Sequence, residues 1–186
     1  MATSAFAVDS LSKVYRWRPK AGRSAGVVHA PMKASQAYRY GDILGLDTGA
    51  TNTPVEPIID PTGSAGATLS GDASVLPKYI ALQTVTAGSS VTLDDTIACV
   101  DINDVELLMR LYHTTASSSE QQDAEFLQPY EWGIYEPDTT SNNYYPVIDI
   151  ANQDGTNGAF QIVEFSSESD PGDDYGLVWV EATGLS

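Results

Sequence analysis

The stretch Asn103–His113, "NDVELLMRLYH", decides how this chain folds. On a helical period, Val105, Leu108, Met109 and Tyr112 form an i, i+3, i+4, i+7 stripe with Asn103 or Asp104 as a cap. On a period of two, Val105, Leu107, Met109 and Leu111 fit a strand equally well. The stretch alone does not choose between them. Its neighbours favour the strand.

Upstream, "TIACVDI" (96–102) alternates Ile97, Cys99 and Asp101 against Ala98, Val100 and Ile102. Before it, "KYIALQTVTAGSSVTL" (78–93) reads as strand, turn at Gly88, strand. "GDILGLD" (41–47) and "PVEPII" (54–59) flank the turn-rich "TGATNT" and predict a hairpin. "PTGSAGATLSGDAS" (61–74) reads as a loop of small residues. Downstream of a polar loop, "TTASSSEQQDAE", the strands are "PYEWGIY", "YYPVIDI", "AFQIVEF" and "YGLVWVEA". Between them lie the turns "PDTTSNN" and "NQDGTNG", the latter a hairpin turn, and the acidic loop "SSESDPGDD". Ten Tyr and three Trp suit strands, and 15 Gly with 10 Pro punctuate them.

The expected fold is therefore mainly β. A small β-barrel or sandwich-like domain occupies residues 40–128, an extended N-terminal arm residues 1–39, and a small C-terminal β unit residues 129–186. Within the arm, "KVYRWRP" alternates like a short strand that Pro19 ends, because proline cannot donate to a ladder. "HAPMKASQAYR" has no clear period.

Charge sets the arm apart. The chain carries 9 Lys and Arg against 25 Asp and Glu, a net of −16. Seven of the nine cations, Lys13, Arg16, Arg18, Lys20, Arg23, Lys33 and Arg39, fall in the first 39 residues, opposed there by Asp9 alone. That segment is +6 and the remainder −22. A body so acidic repels nucleic acid and anionic membranes. The interleaved Arg16, Trp17 and Arg18 resemble a single-strand binding pattern, but the −22 remainder opposes the same phosphates. A simpler role for the cations is to blunt an edge strand. The favoured role is docking: Lys13, Val14, Tyr15, Arg16, Trp17, Arg18, Lys20 and Arg23 add a strand to an acidic partner, with Tyr15 and Trp17 as anchors.

Catalytic motifs carry little weight. "ILGLDTGATNT" resembles the active-site loop of aspartic proteases, with Asp47 as the carboxylate. The apolar pair plus Gly that such enzymes need downstream is missing, and Asp-Thr-Gly is good turn chemistry in its own right. Glu131 with Glu136 and Asp149 with Asp154 offer carboxylate pairs, as expected by chance among 25 acids. His29 and His113 lack companions at metal-ligand spacing, and "DINDVE" departs from the EF-hand pattern. Neither a catalytic residue nor a metal or cofactor is assigned. The single Cys99 rules out an internal disulfide, and no apolar run reaches the length of a signal segment or membrane span. A soluble protein is expected.

Taken in order, the basic aromatic arm, "YGDILGLD", "KYIALQTVTAG", "DDTIACVDINDVELLMRLY" and above all "YEWGIYEP…YYPVIDIANQDGTNGAFQIVEF…GDDYGLVWVE" resemble the head decoration, or cement, proteins of tailed bacteriophages. The resemblance implies a virion protein on the outer surface of the mature head, bridging subunits of the major capsid protein. It also implies a homo-oligomer, with a trimer favoured and a dimer possible, and no turnover. The alternative is a head-fibre, tail or receptor-binding module, with Trp132, Tyr144 and Tyr145 as sugar platforms.

Overall fold

The computed structural model describes residues 16–47, 50, 53–57, 66–68, 77–112, 124–136, 145–153, 159–173 and 176–183. The described residues form β1 (Trp17–Pro19), β2 (Val27–Pro31), β3 (Ala37–Tyr38), β4 (Ile43–Leu46) and β5 (Val55–Pro57). β6 (Gly66–Thr68), β7 (Pro77–Ala81), β8 (Val85–Thr86), β9 (Thr96–Asp101) and β10 (Val105–Tyr112) follow. The last are β11 (Pro129–Glu136), β12 (Tyr145–Gln153), β13 (Phe160–Phe165) and β14 (Leu177–Ala182). The protein is mainly β, as its composition predicts, and its antiparallel sheets are consistent with a small sandwich-like fold.

The deciding stretch is a strand. Val105, Leu107, Met109 and Leu111 are buried and the residues between them only partly so, the period of two that a pleated strand imposes. The helical cap signal before it closes one short 3₁₀ turn, Ile102–Asp104. Asp101 caps that turn, its carboxylate accepting from the Asn103 N–H at 2.9 Å.

Two compact units emerge. One holds residues 15–58 and 74–106, the other 59–73 and 107–185. This division differs from the three zones read along the sequence. From Trp17 onward, the stretch read as an arm is built into the first unit, because Ala30, Met32 and Tyr38 are core residues. Residues 1–15 lie outside the described residues.

The first unit contains a five-stranded antiparallel sheet in the order β2-β9-β7-β4-β5. The hairpin of β4 and β5 is the expected one, with Leu44 opposite Pro57 and Leu46 opposite Val55. The sheet curls until Met32, just past β2, bridges Val55 of β5 in parallel. Its core is Ala30, Met32, Tyr38, Leu44, Val55, Ala81, Ala87, Ile97 and Cys99. The other faces of β4, β7 and β9 also bury a row, Ile43 beside Ile80 beside Val100. β8 pairs with β3, and residues 91–93 form no strand, so the expected strand pair about Gly88 does not form. A turn replaces it, with Asp95 accepting from the N–H and hydroxyl of Thr92.

In the second unit the strands follow the order β10-β12-β11-β13-β14, and β14 pairs back to β10. The ring thus closes, with the Leu111 N–H donating to the Gly176 carbonyl at 2.9 Å. β10 and β12 run parallel, Leu111 opposite Ile148. β11 pairs with both β12 and β13, so β12 and β13 are not neighbours and the expected hairpin between them is not formed. Residues 154–158 of that turn lie outside the described residues. β6 pairs with β11, turning part of the predicted small-residue loop into a strand. Leu107, Met109, Leu111, Tyr130, Val147, Ile148, Phe160, Ile162, Val178 and Val180 are all buried. Closing a sheet on itself removes its edges, which is how a small all-β unit hides its backbone.

Candidate functional site

Two of the cations expected to dock on a partner, Arg18 and Arg23, find partners inside their own unit. β1 lies against the turn between β9 and β10. There the Lys20 N–H donates to the Asp104 carbonyl at 3.0 Å, and Arg18 Nε donates to Glu106 Oε2 at 2.6 Å. Gly22, at φ +78°, lets the chain turn back so that Arg23 reaches Asp104 at 3.0 Å. From β7, Lys78 reaches Asp101 at 2.8 Å. Burial pushes the Asp101 carboxyl up, but Lys78 and the Asn103 N–H outweigh it and hold it below the ordinary carboxylate range. The acidic stretch "DINDVE" is the binding partner of three cations, Arg18, Arg23 and Lys78. Arg18 is partly and Arg23 largely exposed, so each pair contributes at most about 1 kcal/mol.

Of the other predicted docking residues, Arg16 is exposed and Trp17 half-buried in β1. Lys13, Val14 and Tyr15 lie outside the described residues. Spacing gave no hint of Asp104 and Glu106 as partners, because they sit more than 80 residues away from the cations they hold.

A second cluster surrounds Asp47. Lys33 Nζ lies 2.9 Å from Asp47 Oδ2 and 2.6 Å from Glu56 Oε2, which raises its pKa through hydrogen bonds to Glu56 first and Asp47 second. Beneath it the buried Tyr38 hydroxyl donates to the Val55 carbonyl at 2.6 Å and accepts from the Lys33 N–H at 2.8 Å. The Asp47 N–H donates to the Pro54 carbonyl, closing the hairpin end. This is strap chemistry. The Lys33 ammonium bridges the Asp47 and Glu56 carboxylates across the hairpin end. Thr48 and Gly49 lie outside the described residues.

Asp149 is fully buried in β12, and the register sets it opposite Glu131 and Tyr112, beyond reach of a polysaccharide. Glu136 ends β11 and Asp154 lies outside the described residues. Trp132 and Tyr145 are strand residues of β11 and β12, and Tyr144 lies outside the described residues. His29 is exposed on β2, and His113 lies outside the described residues. Cys99 is buried, and burial raises its thiol to about 11, so it is an inert core group. Among the described residues no three His, Cys, Asp or Glu side chains gather as a metal site.

One exposed feature gave no sequence signal. Before β11, Phe126 and Leu127 stand 49% and 62% exposed. Leu127 has φ +58°, a left-handed backbone that costs a non-glycine residue about 1–2 kcal/mol. Three contacts fix the turn. The Leu127 N–H donates to the Ile162 carbonyl at 3.0 Å, the Glu125 N–H to the Tyr130 hydroxyl at 2.9 Å, and Phe126 stacks on Phe165 at 4.4 Å.

Set against known proteins, the chain matches no family model, no curated protein and no solved structure.

Proposed function

We propose that this chain is a bacteriophage capsid decoration (cement) protein that binds the outer surface of the mature head and bridges subunits of the major capsid protein. The observation that carries the reading is the anchored root of the N-terminal segment. Arg18, the Lys20 N–H and Arg23 bind β1 to carboxylates and a carbonyl of the chain's own body. A segment rooted this way pulls on a folded unit when its upstream residues are gripped, which is what a clamp requires. Docking then falls to Lys13, Val14, Tyr15 and Arg16, which add a strand to a capsid sheet edge, with Trp17 at the start of the root. Arg18, Lys20 and Arg23 serve the root. No step in this role needs catalysis, a metal or a cofactor.

Bridging two capsid subunits raises the cost of separating them, because the decoration protein binds the assembled lattice and not the separated subunits. Copies joined in a trimer or dimer gain further through effective concentration. The sequence resemblance supports this reading, as does a strand-built body with a near-neutral docking unit.

Removing residues 1–15 spares β1 and its ion pairs, and circular dichroism checks that the truncated protein is folded. Its co-sedimentation with expanded heads stripped of decoration protein is expected to be lost, while full-length protein saturates in lattice-scale copy number. Tight binding by the truncated form overturns the assignment of the docking residues. Failure of both forms to bind overturns the decoration reading.

A further inference from the structure

We infer that the Phe126–Leu127 turn is a docking knob that seats in an apolar pocket bordered by cations on a protein other than this chain. Two adjacent apolar side chains stand in water while the turn beneath them is fixed by two hydrogen bonds and an aromatic stack. Leu127 keeps its left-handed backbone where Gly or Asn fits with less strain. Strain of this kind persists where the surroundings impose it, and it clusters at binding sites. The register of β13 slips between Ile162 and Glu164, a bulge just before Phe165, the residue on which Phe126 stacks. A rigid, preformed apolar projection loses little freedom on binding, which is the property of an interface anchor.

Charge selects the occupant. Glu125 precedes the knob and Glu164 flanks Phe165, both exposed. The unit that carries the knob, residues 59–73 and 107–185, holds 1 cation against 16 carboxylates, a net of −15. An anionic lipid surface or a nucleic acid meets repulsion there. A second copy is acidic overall, at −16, and meets the same repulsion. The other unit of that copy holds 7 cations against 8 carboxylates, and Arg18, Arg23, Lys33 and Lys78 are paired with their own chain. The remaining fit is a protein that combines an apolar pocket with Lys or Arg at its rim. The inference does not depend on the phage reading.

The test uses full-length protein and two fluorescent amphipathic peptides of equal charge, one of Lys and Leu, the other of Lys and Ser. Binding to the Lys–Leu peptide and much weaker binding to the Lys–Ser peptide are expected. Leu127→Asn and Phe126→Ser should each weaken the first by roughly tenfold or more and leave the second unchanged. Leu127→Asn tolerates the left-handed backbone, so its thermal midpoint should stay level or rise. Equal binding of the two peptides, or variants that bind the Lys–Leu peptide like wild type, overturns the inference. So does concentration-dependent self-association in sedimentation equilibrium that Leu127→Asn abolishes, because the occupant is then a second copy.

Discussion

The two units solve the same problem with different means. The unit of 15–58 and 74–106 is nearly neutral at −1, and a single bridge at Met32 and Val55 joins the ends of its curled sheet. Side chains finish that seam: Tyr38 holds the Val55 carbonyl and Lys33 straps Asp47 to Glu56. The unit of 59–73 and 107–185 is strongly acidic and closes by strand pairing between β10 and β14. Backbone closure asks little of side-chain charge, so this unit can carry its excess of carboxylates on the surface. A seam finished by an ammonium and a phenol ties the first unit to particular side chains. The lesson is that one unit is sealed by particular side chains and the other by backbone pairing.

The sharpest way to break this comparison is to damage one unit and watch the other. Leu111→Ala empties a fully buried site on β10 and should cost about 3 kcal/mol. Urea unfolding followed by far-UV circular dichroism should show the loss, while alkylation of Cys99 under native conditions stays slow. If Cys99 becomes equally reactive, the two units unfold as one and the comparison falls.

Tyr38→Phe probes the side-chain seam directly. It leaves the Val55 carbonyl and the Lys33 N–H with only each other, at 3.3 Å, and should cost about 1 kcal/mol. Cys99 alkylation should now accelerate, because Cys99 belongs to the core that Tyr38 closes. Unchanged alkylation together with full stability would assign the seam to the backbone bridge alone.

Asp42 gives the same unit a pH signature. Burial pushes its carboxyl from the ordinary 3.8 up to about 6, against the Arg39 N–H that donates to it at 2.7 Å. The folded state therefore holds this proton more tightly than the unfolded chain. The proton's contribution is complete below pH about 4 and is lost as pH rises through about 6. Asp42→Asn should raise stability at pH 7 by about 1–2 kcal/mol and change it little at pH 4. Denaturation midpoints at the two pH values check it, and an equal shift at both counts against the buried-carboxyl account.

The smallest effect belongs to the root of β1. Arg18→Gln should cost no more than about 1 kcal/mol at low salt and less at high salt, since the pair is partly exposed. A loss that ignores salt would indicate packing by the Arg18 stem in place of charge.

How much was legible follows from the range of each interaction. The strand at Val105–Tyr112 was readable because alternate burial depends on residues two apart. The β4–β5 hairpin was readable because its turn chemistry is local. The non-neighbouring pairs, β8 with β3 and β11 between β12 and β13, were not, since any strand edge can in principle accept any other. The knob at Phe126 and Leu127 was hidden for a related reason: a positive φ at leucine has no signature in composition.

Sequence by itself determined that the chain is mainly β, where most strands run, and that its cations gather near one end. Tertiary structure alone decided what those cations do. Along the chain they make a basic arm facing an acidic body. In the fold, Arg18, Arg23 and Lys78 lie on Glu106, Asp104 and Asp101, and Lys33 on Asp47 and Glu56, so their unit is close to neutral. The physical reason is range. A charge tally counts neighbours along the chain, whereas an ion pair forms between side chains within 4 Å, wherever in the sequence they arise.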